Sequence, residues 1–130
     1  MPVIAHDNLR AVARAILEGM GSSNAEATEV ANHLVEANLK GHDSHGVGML
    51  PLYYKNFAAG HLKVNQHAKV VRNNGAIAVF EGAMGHGQVI AREVTDWAIS
   101  TARTSGAACD RQTRSARSRA ASRSSSASGS

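Results

Sequence analysis

The stretch Ala37-Asn38-Leu39-Lys40-Gly41-His42-Asp43-Ser44-His45-Gly46-Val47-Gly48-Met49-Leu50-Pro51 decides how the chain is divided. Its first residues finish a helical pattern and its last ones open another. Between them Gly41-His42-Asp43-Ser44-His45-Gly46 is short, polar and flanked by glycines, which marks a turn. Upstream, Ala27, Val30, Leu34 and Val35 recur at helical spacing, so a helix is expected over about 24–40. Ser23 with Glu26 has the spacing of a capping box, in which each side chain satisfies the other residue's free backbone N–H. An earlier helix is expected over 8–20, with Leu9, Val12, Ile16, Leu17 and Met20 as its apolar positions, Asp7 as N-cap and Gly21 as stop.

Downstream of the turn a third helix is expected over 47–59. Pro51 sits near its start, where a missing N–H does least harm. Leu50, Tyr53, Tyr54, Phe57 and Ala58 form its apolar face, and Gly60 closes it. The pattern then changes to β. Ala68-Lys69-Val70-Val71-Arg72 and Ala76-Ile77-Ala78-Val79-Phe80 flank Asn73-Asn74-Gly75, and an Asn-Gly pair between two such runs signals a hairpin by tolerating positive φ twice. After Gly82, Gly85 and Gly87 a last helix is expected over 87–103, with Val89, Ile90, Val94, Trp97 and Ala98 inward. The order α-α-α-β-β-α is an α+β layout: an N-terminal three-helix segment, a β-hairpin and a further helix. No internal repeat is visible.

The chain has 130 residues, and its formal net charge is +4. Five arginines and no acid lie in residues 111–130, which leaves residues 1–110 at −1. The body is therefore near neutral, which excludes reading the whole chain as a basic nucleic-acid binder. Five aromatics in total leave the core to Ala, Val, Leu and Ile. The single cysteine, Cys109, excludes an intramolecular disulfide framework and fits a reducing compartment. No apolar run approaches the ~18 residues of a membrane span, and Asp7 interrupts the start where a signal peptide would be basic and apolar. The expectation is a cytoplasmic protein. After Gly106-Ala107-Ala108, where a buried strand is due, the sequence turns to Arg, Ser and Ala. Residues 1–108 are thus read as the folded unit and 109–130 as a disordered Arg/Ser/Ala-rich tail.

Several segments could carry chemistry. In His42-Asp43-Ser44-His45 an imidazole could exchange a proton with a substrate oxygen, Asp43 could orient a ring, and Ser44 could hydrogen-bond a carbonyl or carboxylate. The same residues also suit a capping turn with exposed histidines. His42 and His45 could face one ion, but no further Cys or His has the spacing to complete a set, so no metal site is assigned. Gly82-Ala83-Met84-Gly85-His86-Gly87 could cradle a phosphate at a helix start. It lacks the Lys-Ser/Thr of a P-loop and does not open a βαβ unit, so a plain strand-to-helix connection is favoured. The Arg/Ser tail could bind nucleic acid through its charge, but no aromatic is interleaved to stack on bases.

Read as a whole, Ala37–Pro51 resembles the malate/L-lactate dehydrogenase family, the NAD(P)-dependent group whose cofactor fold is not the usual Rossmann one. Gly60-His61-Leu62-Lys63-Val64-Asn65 and Gly85-His86-Gly87-Gln88-Val89 agree with it. The resemblance runs from about residue 5 to 108 and is nearest to the hydroxycarboxylate dehydrogenase branch. It implies reversible hydride transfer between NAD or NADP and a small 2-oxo or 2-hydroxy acid (malate, lactate or an aromatic 2-hydroxy acid). It implies His45 as proton donor to the substrate carbonyl, with Ser44 beside it, and a homodimer. Some members carry an Arg four residues after this His, which would pair with the acid's carboxylate. Here Met49 stands in that place, as in the favoured branch, and the departure bears on substrate. The cofactor-binding residues are expected beyond the matched region.

Members of that family are more than twice as long. The chain is therefore read as the N-terminal third of such an oxidoreductase, inactive alone, with a frameshift near residues 107–110 as the origin of the tail. Two alternatives follow: a non-catalytic helical association module, and nucleic-acid binding through the tail.

Overall fold

The computed structural model describes residues 2–113. In chain order the elements are α1 (His6–Gly19), α2 (Asn24–Leu39), α3 (Leu50–Ala58), β1 (Lys69–Asn73), β2 (Ile77–Glu81), α4 (Gly87–Ser105) and β3 (Cys109–Thr113). Two 3₁₀ turns, Asp43–His45 and Val47–Met49, stand between α2 and α3. The fold class is α+β, as the periodicity predicts.

α1 and α2 form an antiparallel pair whose contact is built from small and branched side chains. Ala13 and Leu17 of α1 face Ala27, Val30, Ala31 and Leu34 of α2, and Leu50 and Val89 complete the cluster. Burying a Leu or Val side chain contributes about 1.5–3 kcal/mol each, so a core poor in aromatics still holds. α4 joins this cluster to the sheet. Val89 faces the helices, while Ile90 and Val94 pack on Ala78 and Phe80 of β2. Trp97 meets Phe80 edge-on at a centroid distance of 5.1 Å.

Local details depart from the sequence reading in instructive ways. Ala5, not Asp7, is the N-cap of α1, and no side chain caps it. Asp7 lies in the first turn, where its carboxylate accepts from Arg10 Nη1 at 3.2 Å and suits the helix dipole. Val12 and Ile16, expected inward, are 57% and 41% exposed because α1 turns only its Ala13–Leu17–Met20 side to α2. The third helix begins at Leu50, since residues 47–49 wind as a 3₁₀ turn. Tyr54 and Ala58 are exposed, leaving Leu50 as the buried residue of α3 and Tyr53 and Phe57 partly buried.

The capping box forms by half. Ser23 Oγ accepts from the Glu26 N–H at 3.2 Å. The Glu26 side chain does not return to Ser23. It accepts from Ser22 Oγ at 2.7 Å and from the Asn65 N–H at 2.9 Å. Asn65 replaces it, accepting from the Ser23 N–H through Oδ1 at 2.7 Å and donating through Nδ2 to Gly21 O at 2.8 Å. Asn65 sits at φ 57°, a left-handed conformation that Asn tolerates and these bonds hold. The loop before the hairpin is thereby tied to the α1–α2 junction.

The sheet has the order β1-β2-β3. β1 and β2 are antiparallel, with an irregularity between Val70 and Arg72. At the hairpin Gly75 takes φ 75°, but Asn74 does not join it in the left-handed region, so only one positive φ is used where two were expected. β3 runs parallel to β2, pairing Ile77 with Cys109 through to Glu81 with Thr113, so β2, α4 and β3 form a βαβ unit and the reading that the loop over residues 82–87 opens none is corrected. The placement of a disordered tail from residue 109 is therefore corrected over its first five residues. A parallel edge strand is held by main-chain bonds such as Cys109 N–H to Ala76 O (2.8 Å) and Gly82 N–H to Thr113 O (3.0 Å), and needs no apolar side chain of its own. The rest of the proposed tail, residues 114–130, lies outside the described residues.

Candidate functional site

The turn after α2 is shaped by its glycines and one amide. Gly41, at φ 80°, ends the helix in the left-handed region. Its N–H bonds Asn38 O at 3.0 Å, and the His42 N–H bonds Ala37 O at 2.8 Å. The chain then winds through Asp43–His45, with the His45 N–H on His42 O at 2.9 Å and the Gly46 N–H on Asp43 O at 3.2 Å.

Asn38 reaches across this turn. Its Nδ2 donates to Asp43 Oδ1 at 2.7 Å, and its Oδ1 accepts from the Val47 N–H at 2.8 Å. Gly46 is buried beneath it, and a Cβ built at Gly46 would fall 2.2–2.4 Å from the Asn38 amide atoms. Glycine is required at 46 for that close approach.

Ser44 and His45 are brought together. Ser44 Oγ lies 2.9 Å from His45 Nδ1, and both residues are exposed. With Nδ1 engaged by the hydroxyl, Nε2 is the nitrogen left to exchange a proton with a ligand. Asp43 does not orient an imidazole, since its carboxylate is taken by Asn38. Met49 is partly buried and packs on the helical core. Among the described residues no three His, Cys, Asp or Glu side chains are grouped to hold a metal ion.

The glycine loop before α4 is an internal joint. Ala83 and Met84 take φ 48° and 60°, and Gly85 N–H closes on Gly82 O at 2.8 Å. A Cβ at Gly85 would meet Gln66 Cβ at 2.7 Å, and one at Gly82 would meet Ile90 at 3.3 Å. Those two glycines make room for this chain's own side chains. The cavity over the loop, lined by Gly82, Met84, Gly85, Gly87, Ile90, Gln112 and Thr113, is about 150 Å³. That is below the ~300–1,000 Å³ of small-molecule sites. A second cavity reaches the same loop, lined by Tyr53, Asn56, His61, Leu62, Met84, Gly85 and Gly87, and its volume of about 490 Å³ is within that range.

His86, within that loop, is 2% exposed and caps α4 through its backbone. Its ring meets Tyr53 edge-on at 5.7 Å, and its Nε2 has no hydrogen-bond partner, lying 3.8 Å from Glu26 Oε1. Burial pushes the imidazole below its ordinary titration range, and the Glu26 carboxylate pulls weakly the other way.

Sequence reasoning missed Asn38 and Asn65 as organising residues. Asn38 carried one signal, a branched amide just before a turn rich in unpaired backbone groups. Asn65 carried none, because its partners lie about forty residues upstream. The alternative of nucleic-acid binding through the tail falls mostly on residues outside those described.

The model of the malate/L-lactate dehydrogenase family matches residues 4–123. Hydroxycarboxylate dehydrogenase B of Escherichia coli (strain K12) is 44% identical over 100 residues, which are 77% of this chain and 28% of that protein. L-sulfolactate dehydrogenase of Methanocaldococcus jannaschii is 33% identical over 91 residues, or 70% of this chain and 26% of that one. Among solved structures, malate dehydrogenase from Pyrococcus horikoshii OT3 superposes with a TM-score of 0.75 at 30% identity, over 79% of this chain and 30% of that one. The chain spans less than a third of the length of the curated relatives it matches.

Proposed function

The chain belongs to the malate/L-lactate dehydrogenase family, and from that premise we propose that the whole protein interconverts 2-hydroxy and 2-oxo acids, with His45 as its proton carrier. The relatives' names range over malate, sulfolactate, lactate and hydroxycarboxylate, which supports a small 2-hydroxy acid as substrate. The observation that carries the reading is the exposed Ser44–His45 pair on a turn anchored to α2. Reduction of a carbonyl leaves negative charge on oxygen, and an imidazolium held beside that oxygen neutralises it with a proton. In the reverse direction the neutral ring accepts the hydroxyl proton. Ser44 Oγ, 2.9 Å from Nδ1, holds that side of the ring and can donate to the neutral imidazole or accept from the imidazolium, leaving Nε2 for the substrate.

The resemblance implies NAD or NADP as the cofactor. We place its site beyond the matched region, as the resemblance implies, and derive no step through it. We take the protein to act in the cytoplasm. Among the described residues no helix is long and apolar enough to cross a membrane.

A chimera tests the reading. Residues 5–108 would replace the matching segment of the E. coli hydroxycarboxylate dehydrogenase B. Reduction of a 2-oxo acid by NADH or NADPH is expected, falling about 10²–10⁴-fold in His45→Gln. Unchanged turnover in that variant would remove His45 from the chemistry. The 130-residue chain assayed alone with pyruvate or phenylpyruvate is expected to be inactive, and NADH oxidation by it would contradict the placement of the cofactor site.

A second reading, self-association as a homodimer, rests on a different observation. Leu9, Val12, Ile16, Leu50, Pro51 and Tyr54 line an open apolar groove of about 460 Å³ between α1 and α3. Sedimentation showing only monomer at high concentration would exclude it.

A further inference from the structure

We infer that Asn38 is the positioning residue of the Ser44–His45 pair, its amide clamping the turn on both sides of the imidazole. The clamp is a geometric claim, and its catalytic meaning rests on the reading of His45 as proton carrier. The two anchor points, Asp43 Oδ1 at 2.7 Å and the Val47 N–H at 2.8 Å, lie two residues before and two residues after His45. Asn38 stands on the last turn of α2, whose Leu34 and Val35 are each 1% exposed. The rigidity of the core is thus carried to a turn whose own side chains face solvent.

The chemistry of the two anchors dictates the residue. An ionised Asp43 carboxylate only accepts, and the Val47 N–H only donates. Position 38 must therefore present one donor and one acceptor at the two tips of a short forked side chain, which an amide does. An aspartate there would still offer an acceptor to Val47, but it would set two carboxylates against each other, and their repulsion would draw the side chain off the Val47 N–H as well. The space is also reserved: the Asn38 amide occupies the volume that a Cβ on Gly46 would need, with 2.2–2.4 Å to all three amide atoms. Amide and glycine together hold His45 between them.

The donor and acceptor can be exchanged, which makes the inference testable on the 130-residue chain itself. In Asn38→Asp the donor to Asp43 is lost. Adding Asp43→Asn returns a donor from the other side at unchanged net charge, so the bond between positions 38 and 43 can re-form in reverse while Val47 donates as before. Nuclear magnetic resonance of the histidine rings and amide exchange would read the result. Asn38→Asp is expected to shift the His45 ring resonances and tautomer ratio towards those of a freely rotating imidazole. It should also speed exchange of the Val47 amide by about 5-fold, the equivalent of one hydrogen bond weakened. The double variant should restore both.

If Asn38→Asp leaves His45 and Val47 unchanged, or if the double variant is as perturbed as the single one, the clamp is wrong. Should Asn38→Asp unfold the chain, Asp43→Ala removes one anchor from an exposed position and is read in the same way. None of these measurements needs turnover. In the active chimera Asn38→Asp should lower kcat by up to about 100-fold with little change in KM, as expected for a misplaced proton carrier, with recovery in the double variant. A chimera indifferent to His45→Gln would overturn the role of His45 while leaving the resonance result to decide the clamp.

Discussion

Gly46 and His67 show how single residues tune this fold. Gly46→Ala puts a methyl group within 2.4 Å of the Asn38 amide, so the amide must swing away and abandon Asp43 and Val47. Overpacking of this kind costs about 1–3 kcal/mol. A lower urea midpoint and faster Val47 amide exchange are expected, and an unaltered midpoint would show that the turn yields without strain. His67 acts through charge. Its Nδ1 lies 2.6 Å from Glu93 Oε1, while the other Glu93 oxygen accepts from the Ala68 N–H at 2.7 Å. The hydrogen bond and the carboxylate's charge raise the His67 pKa above 6.5. A raised folded value means that the folded state holds the proton longer. The contribution is therefore complete below about pH 6.5 and is lost as pH rises through the folded value. His67 is largely exposed, so the effect is small and screened by salt. Glu93→Gln should flatten this part of the stability–pH curve in low salt, and a curve identical to wild type would contradict the pairing. At this scale the site was half legible. Ser44 and His45 stood out because two chemistry-bearing side chains on a glycine-flanked turn are conspicuous. Glu26 did not, because its spacing to Ser23 suggested a local partner, whereas its backbone partner is Asn65 on a distant loop.

Helices were legible at the scale of elements because apolar spacing and terminal residues are local signals. The structured start of the tail was not. Cys109-Asp110-Arg111-Gln112-Thr113 has no apolar pattern, and its strand exists through main-chain pairing to β2. That origin predicts a proline asymmetry. In a parallel ladder alternate residues of an edge strand turn their N–H to the neighbour. The Cys109 N–H bonds Ala76 O and Thr113 O accepts from the Gly82 N–H, so Arg111 shares their phase. Arg111→Pro should remove a ladder bond and expose the β2 amides to exchange, whereas Asp110→Pro should be tolerated. Equal effects of the two would mean that side chains, not the ladder, hold β3. The start of α4 carries a pH response of opposite sign to that of His67. Burial lowers the His86 pKa below 6.5, so the unfolded chain takes up its proton first as pH falls. Stability is full above about pH 6.5 and declines from there towards the folded value. His86→Phe should keep the edge-on contact with Tyr53 and remove a buried nitrogen without a partner. Its urea midpoint should change less than that of wild type between pH 7 and pH 5. A midpoint that falls as steeply as in wild type would assign the acid response elsewhere.

The whole molecule presents two kinds of unfinished surface, and they can be told apart. One is the sheet, whose edge strands β1 and β3 flank β2. Among the described residues β1 pairs only with β2 and leaves Val70 53% and Val71 38% exposed, an edge that can serve as a template for further strands. The other is the groove between α1 and α3, where Val12, Ile16 and Tyr54 are 57%, 41% and 60% exposed. A dye that fluoresces on apolar surface enters concave apolar grooves but finds little purchase on a charged, twisted strand edge. Native chain should therefore bind the dye, and Ile16→Lys should abolish most of that binding while leaving the circular dichroism unchanged, because Ile16 is not among the buried residues of α1. Val70→Lys should leave dye binding intact and instead slow any aggregation followed by light scattering, since lysine on an edge opposes strand addition. If Val70→Lys quenches the dye as well, the sheet rather than the groove is the main apolar surface. If neither variant alters dye binding, the fluorescence reports a loosened core, and amide exchange of Leu17 and Leu34, which are 0% and 1% exposed, should then be fast.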